Sequence, residues 1–141
     1  MADTSLNENR IGLLIWQTSN VWQSKIRKQL INFNLSFNEY LILETVYKLS
    51  KSIANISQVD VAKHSFIDKS VVSAKLTQLQ NKKLINKMTP NDNRSNKLAL
   101  TRDGKMIVEK IINHVVEVEN EFFGKLNQET FNFINSLKLL L

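Results

Sequence analysis

From about Arg10 to Phe33 apolar residues recur at helical spacing, at Ile11, Leu14, Ile15, Trp22, Ile26, Leu30 and Phe33, predicting an amphipathic first helix. Ser36 and Glu39 then form a capping-box pattern, with Leu35 and Tyr40 placed as a hydrophobic staple. The second helix is expected to reach Leu49, burying Leu41, Val46 and Leu49. Ser57 starts a short third helix, with Asp60 beside the helix dipole and Ile56/Val61 as staple, ending near Lys63 or His64. Asp68 offers the N-cap of a fourth helix reaching about Lys82. Two short capped helices this close together predict a helix-turn-helix.

After Leu84 the pattern changes. "LINKM" and "KLAL" flank the polar loop "TPNDNRSN", and Leu98 and Leu100 alternate with Lys97 and Ala99 at strand period. A two-stranded hairpin is expected there. Thr101 then caps a long fifth helix reaching about Phe123, whose apolar residues come in doublets, Ile111/Ile112, Val115/Val116 and Phe122/Phe123. One buried stripe needs only single residues, so doublets imply burial on more than one side. Gly124 is placed to end this helix, and Asn127 with Leu126/Phe131 to start a sixth, amphipathic one. The fold class is therefore mostly α, with a two-stranded β wing.

Composition narrows the picture. The 141 residues are one domain's worth of chain, and only three Gly and one Pro favour long helices. There is no Cys, which excludes disulfides, thiolate ligands and thiol redox sensing. The polar start "MADTSLNENR" lacks the order of a signal peptide, and no apolar run approaches a membrane span, so a cytoplasmic protein without membrane contact is expected. The net charge is +6, and residues 57–97 alone carry eight basic against three acidic side chains. A basic surface can be mere solvated charge, but concentration in one segment points to a polyanion partner.

On the fourth helix Val72, Leu76 and Leu79 share one stripe, the core side. The opposite face carries Ser70, Ala74, Thr77 and Asn81, flanked by Ser73 and Gln78. Small side chains let a helix lie deep in the major groove, where Ser, Thr, Gln and Asn address base edges or phosphates. A plain solvated face is the alternative. In the hairpin loop Arg94 suits a narrow minor groove, and Asp92 is placed to shape the loop by pairing with it or with a neighbouring backbone group, a surface ion pair of little weight being the alternative. Lys63, Lys69, Lys87 and Lys97 are candidate phosphate contacts. His64 and His114 have no partner at metal-ligand spacing, and neither a metal nor another cofactor is expected.

These residues carry a family resemblance. "LSFNEYLIL", "ISQVDVA", "DKSVVSAKLTQLQNKKLI", the Asp92-Asn93-Arg94 wing and "LALTRDG" resemble, in order and spacing, the MarR family of bacterial winged helix-turn-helix transcription regulators. The chain departs from that family's pattern at Lys83, where Gly is usual, at Ala74, where Arg is frequent, and at Lys87, where Arg is favoured. The resemblance implies a single MarR-like domain over residues 1–141. Residues 35–100 would form the DNA-binding lobe, and 1–34 with 101–141 a helical dimerisation region. It implies a homodimer on a near-palindromic operator in double-stranded DNA, acting as a repressor and relieved by a small aromatic or phenolic effector. Trp16, Trp22, Phe37, Tyr40 and Tyr47 are the candidate pocket for that effector, though aromatics at helical spacing also build cores. A winged-helix module that binds protein and not DNA is the alternative function. No Gly-rich phosphate loop, HExxH or Ser-His-Asp pattern is present, so an enzyme is not expected.

Overall fold

The computed structural model describes residues 10–88 and 97–141. In order they form α1 (Ile11–Leu30), a 3-10 turn (Ile31–Phe33), α2 (Phe37–Leu49), α3 (Gln58–Ser65) and α4 (Lys69–Asn81). The strands β1 (Ile85–Met88) and β2 (Lys97–Leu100) follow, then α5 (Arg102–Phe123), a 3-10 segment (Gly124–Glu129) and α6 (Thr130–Leu140).

Local chemistry sets most of these boundaries. At α2 the Ser36 hydroxyl accepts from the Glu39 N–H at 3.2 Å, and the Glu39 carboxylate accepts from the Ser36 N–H at 3.0 Å. Ser57 and Asp60 repeat the reciprocal pair at α3, with distances of 3.1 and 2.9 Å. Asp60 thus does more than face the dipole, since it satisfies a backbone donor left over at the helix start. Helix α3 runs to Ser65, and Phe66 closes it in the left-handed region at φ 60°.

The core joins Ile26 and Leu30 of α1, Tyr40, Ile42, Leu43 and Val46 of α2, Val61, and Val72, Leu76 and Leu79 of α4 to Val108 and Ile111 of α5. Leu41, expected inside, is only half-buried. It lies five residues before Val46, about 140° around the helix, so Ile42 and Leu43 take the inner face instead.

The strands pair antiparallel, Ile85 with Leu100 and Lys87 with Leu98. Only Ile85 of β1 is buried, which is why that strand shows so little alternation in sequence. An isolated bridge joins Ile56 to Leu98, whose N–H donates to the Ile56 carbonyl at 2.8 Å. The α2–α3 loop therefore borders β2 on its other side.

The ends of the chain correct two expectations. Gly124 adopts a right-handed conformation and continues into 3-10 turns. The sixth helix begins at Thr130 and not at Asn127, whose φ of 46° and ψ of −114° break the helical path. Thr130 Oγ1 donates to the Asn127 carbonyl at 2.8 Å across this kink. In α5 the buried stripe is Gly104, Val108, Ile111 and Val115, while the doublet partner Val116 is exposed. Ile11, Leu14 and Ile15 of α1 and Phe131, Ile134 and Leu139 of α6 are exposed too.

Candidate nucleic-acid interface

Helix α4 presents a uniform outward face. Lys69, Ser70, Ser73, Ala74, Thr77, Gln78 and Asn81 are all exposed, opposite the buried stripe of Val72, Leu76 and Leu79. Ser70 is partly committed: both its N–H and its hydroxyl donate to the Asp68 carboxylate. Those hydrogen bonds, hydroxyl first, hold the Asp68 carboxyl below its usual value. Thr77 Oγ1 donates to the Ser73 carbonyl at 3.2 Å, and Gln78 accepts from Lys75 at 3.3 Å. The Ser70 and Thr77 oxygens can still accept, and the Gln78 amide nitrogen is left as a donor.

The far end of α4 is held by backbone geometry and by one ion pair. The Leu84 N–H donates to the Leu79 carbonyl at 3.0 Å and the Lys83 N–H to the Gln80 carbonyl at 2.9 Å, a Schellman closure. Its pivot is Lys83, at φ 60°. This is where the resemblance expects Gly, and the structure gives the reason: the closure needs a left-handed residue, which a side chain disfavours.

Lys82, beside it, reaches back to α2. Its Nζ lies 2.9 and 3.1 Å from the two oxygens of the buried Glu39 carboxylate, and donates to the Asn34 carbonyl at 2.6 Å. Burial pushes the Glu39 carboxyl up, but hydrogen bonds from Ser36 and Lys82 outweigh it and leave the carboxyl below its ordinary value. Nothing in the local sequence singles out Lys82, because its partner stands 43 positions earlier.

The root of the ribbon is clamped from α5. The Thr101 N–H donates to the Leu84 carbonyl at 3.0 Å, and Thr101 Oγ1 donates to the Lys83 carbonyl at 2.8 Å while accepting from the Gly104 N–H at 2.9 Å. A Cβ on Gly104 would stand 2.0 Å from the Leu84 carbonyl oxygen. The Thr-x-x-Gly pattern is thus a backbone-to-backbone seat for the exit of α4.

Lys63, Lys69 and Lys87 are exposed on α3, α4 and β1. Lys97 is half-buried and pairs with Met88, whereas Lys87 pairs with Leu98, so the two ribbon lysines point to opposite faces. Lys97 lines a cleft with Tyr47 instead. Asp92 and Arg94 lie outside the described residues.

The five aromatic candidates for a pocket do not converge. Trp16 is 63% exposed, Trp22 and Phe37 meet edge-on at 5.6 Å, and Tyr40 is 1% exposed in the core. Burial, then the charge of Glu44, pushes the Tyr40 phenol well above its usual range. Tyr47 stands at the far end of α2, in the separate cleft. Trp16 and Trp22 are six residues apart, about 240° around α1, which is why they diverge.

No family model matches the chain. It is 28% identical over 131 residues, 92% of its own length and 88% of the relative's, to YdcH of Bacillus subtilis, described as an uncharacterized HTH-type transcriptional regulator. Among solved structures it resembles a mutant MarR from E. coli complexed with operator DNA, with a TM-score of 0.82, 21% identity and 99% coverage of both chains. It also resembles BpsR of Bordetella bronchiseptica, a protein whose DNA binding is regulated by 6-hydroxynicotinic acid. There the TM-score is 0.80, with 22% identity and 92% and 91% of the two chains covered. The S. aureus MepR–DNA complex matches with a TM-score of 0.75, 23% identity, and 91% and 94% coverage. The chain has the fold of the MarR-family regulators.

Proposed function

We propose that the chain is a MarR-family regulator: a homodimer that binds near-palindromic double-stranded DNA by sequence, represses by occluding a promoter, and is relieved by a small aromatic or phenolic effector. The observation that carries this reading is helix α4. Its small, polar outer face is free of the core and held at both ends, by Asp68 at the start and by the Schellman closure and Lys82 at the finish. Lys69, Ser70, Ser73, Ala74, Thr77, Gln78 and Asn81 are assigned to the major groove and Lys63 and Lys87 to phosphates. Arg94, positioned by Asp92, is assigned to the adjacent minor groove on the sequence pattern alone. Lys97 faces away from Lys87, and we assign it no phosphate.

The exposed apolar residues of α1 and α6 supply what a two-fold partner would cover, with two α4 helices meeting half-sites about 34 Å apart. The role calls for no catalysis and places the protein in the cytoplasm with the chromosome. The test is selection of bound fragments from the source genome, followed by affinity measured across salt concentrations. A recurring near-palindrome, with affinity falling steeply as salt rises, is expected. No enrichment over a shuffled pool overturns the proposal.

Exposed Val59, Phe66 and Met88 around the helix-turn-helix favour one second reading, a module that docks on protein. Salt-insensitive capture of a protein, with no DNA retained, would establish it instead.

A further inference from the structure

Phe66 closes α3 in the left-handed region, and its side chain is 78% exposed. No large apolar side chain in the described part of residues 35–100 is more exposed. The turn it occupies is built without the ring. The Phe66 N–H donates to the Ala62 carbonyl at 3.1 Å and the Ile67 N–H to the Ser65 hydroxyl at 3.2 Å, while the half-buried Ile67 packs on the core. Among the described residues no other aromatic ring and no cation meets the Phe66 ring. Glycine or asparagine would make the same turn with less strain. Folding therefore does not account for a phenylalanine here.

Its position offers another account. The exposed neighbours on either side are polar: Lys63 and His64 end α3, and Asp68, Lys69 and Ser70 open α4. A recognition helix enters the major groove by its N-terminal end while the helix before it crosses the backbone, so the turn between them stands at the groove edge. Phe66 is three positions before Lys69, the first residue of α4, at most about 11 Å of chain. Lysines can meet phosphates at that edge, but a ring without donor or acceptor cannot. The apolar group that the major groove displays is the 5-methyl of thymine. We propose that Phe66 reads a thymine in each half-site, packing its ring on the 5-methyl beside the first turn of α4. This rests on the DNA-binding reading above, and adds an apolar contact to a helix face whose own side chains are small and polar.

The experiment measures operator affinity for the full chain and for Phe66→Asn. It uses the selected operator and versions in which matched thymines, one in each half-site, are replaced by uracil. Uracil lacks the methyl and keeps the same hydrogen-bonding edge. At one matched position the wild-type chain is expected to lose about tenfold, the effect of uncovering two methyl groups. Phe66→Asn should lose about tenfold on the thymine operator and nothing further with uracil at that position. Its salt slope should match that of the wild type, because an apolar contact releases no counterions. Asparagine enters the left-handed region more easily, so the urea midpoint should be no lower. Unchanged operator affinity of Phe66→Asn overturns the proposal. So does a loss that persists undiminished at every uracil position, which would put the ring on deoxyribose, and so does a lower urea midpoint, which would give the ring a part in folding. A wild-type chain that selects no operator fails the DNA-binding reading itself, and that failure is read without any substitution.

Discussion

Lys83 and Gly104 occupy complementary positions at the exit of α4, one with a side chain where backbone geometry disfavours it and the other without one where none fits. A left-handed conformation costs an L-residue roughly 1–2 kcal/mol, while glycine loses about 0.5–1 kcal/mol more in ordering its freer unfolded chain. Lys83→Gly should therefore raise stability by about 0.5–1 kcal/mol, read as a higher urea midpoint at constant m. A lower midpoint would show that the lysine side chain makes a contact worth more than its strain. Gly104→Ala has the opposite sign. Its methyl would meet a backbone carbonyl that cannot rotate aside, and a loss of about 1–3 kcal/mol is expected. Phe66, like Lys83, is left-handed, and it stands 78% exposed at the turn of the helix-turn-helix.

At the scale of elements, the exit of α4 is tied to α2 where the buried Glu39 meets Lys82. The Glu39 carboxyl titrates below its ordinary value of 4.5, so its contribution is complete above that value and disappears as pH falls through the lowered folded one. Glu39→Gln should cost about 1–2 kcal/mol at neutral pH and flatten the loss of stability below pH 4.5. Parallel acid curves for the two proteins would remove this pair as the cause. The Ser36–Glu39 capping box is legible in the sequence because its partners lie three residues apart, within one turn, whereas at Ser57 the sequence marks the helix start and Asp60 beside the dipole but not the reciprocal bond. The outer face of α4 is legible for the same reason, through helical period alone. The Glu39–Lys82 tie and the Ile56–Leu98 bridge are not, because each joins distant segments through contacts that leave no local pattern. The pocket aromatics show the converse: Trp16 and Trp22 are sent to different faces by helical rotation, while Tyr40 and Tyr47 share a face of α2 but stand two turns apart along it.

For the whole molecule, the doublets of α5 and the apolar tail pointed to a missing partner surface, and the structure leaves Val116, Phe131, Ile134 and Leu139 uncovered, the last 87% exposed. Ile134→Asp with Leu139→Asp should convert a dimer to a monomer in sedimentation velocity while keeping its helical content, and reduce operator affinity because one α4 then binds alone. An unchanged sedimentation coefficient would move the interface elsewhere. The seat of Gly104 against Leu84 bears on such a pair. Helix α5, 22 residues or about 33 Å long, is seated at its first turn on the exit of α4, packs into the core through Val108, Ile111 and Val115, and carries α6 beyond its other end. A shift at that seat would be carried along α5 toward α6. A tilt of about 5° displaces its far end by roughly 3 Å, close to the rise of one base pair. In the proposed dimer, the angle at which two such helices cross would set the separation of the two α4 helices, and the seat of Gly104 on Leu84 bears on that angle.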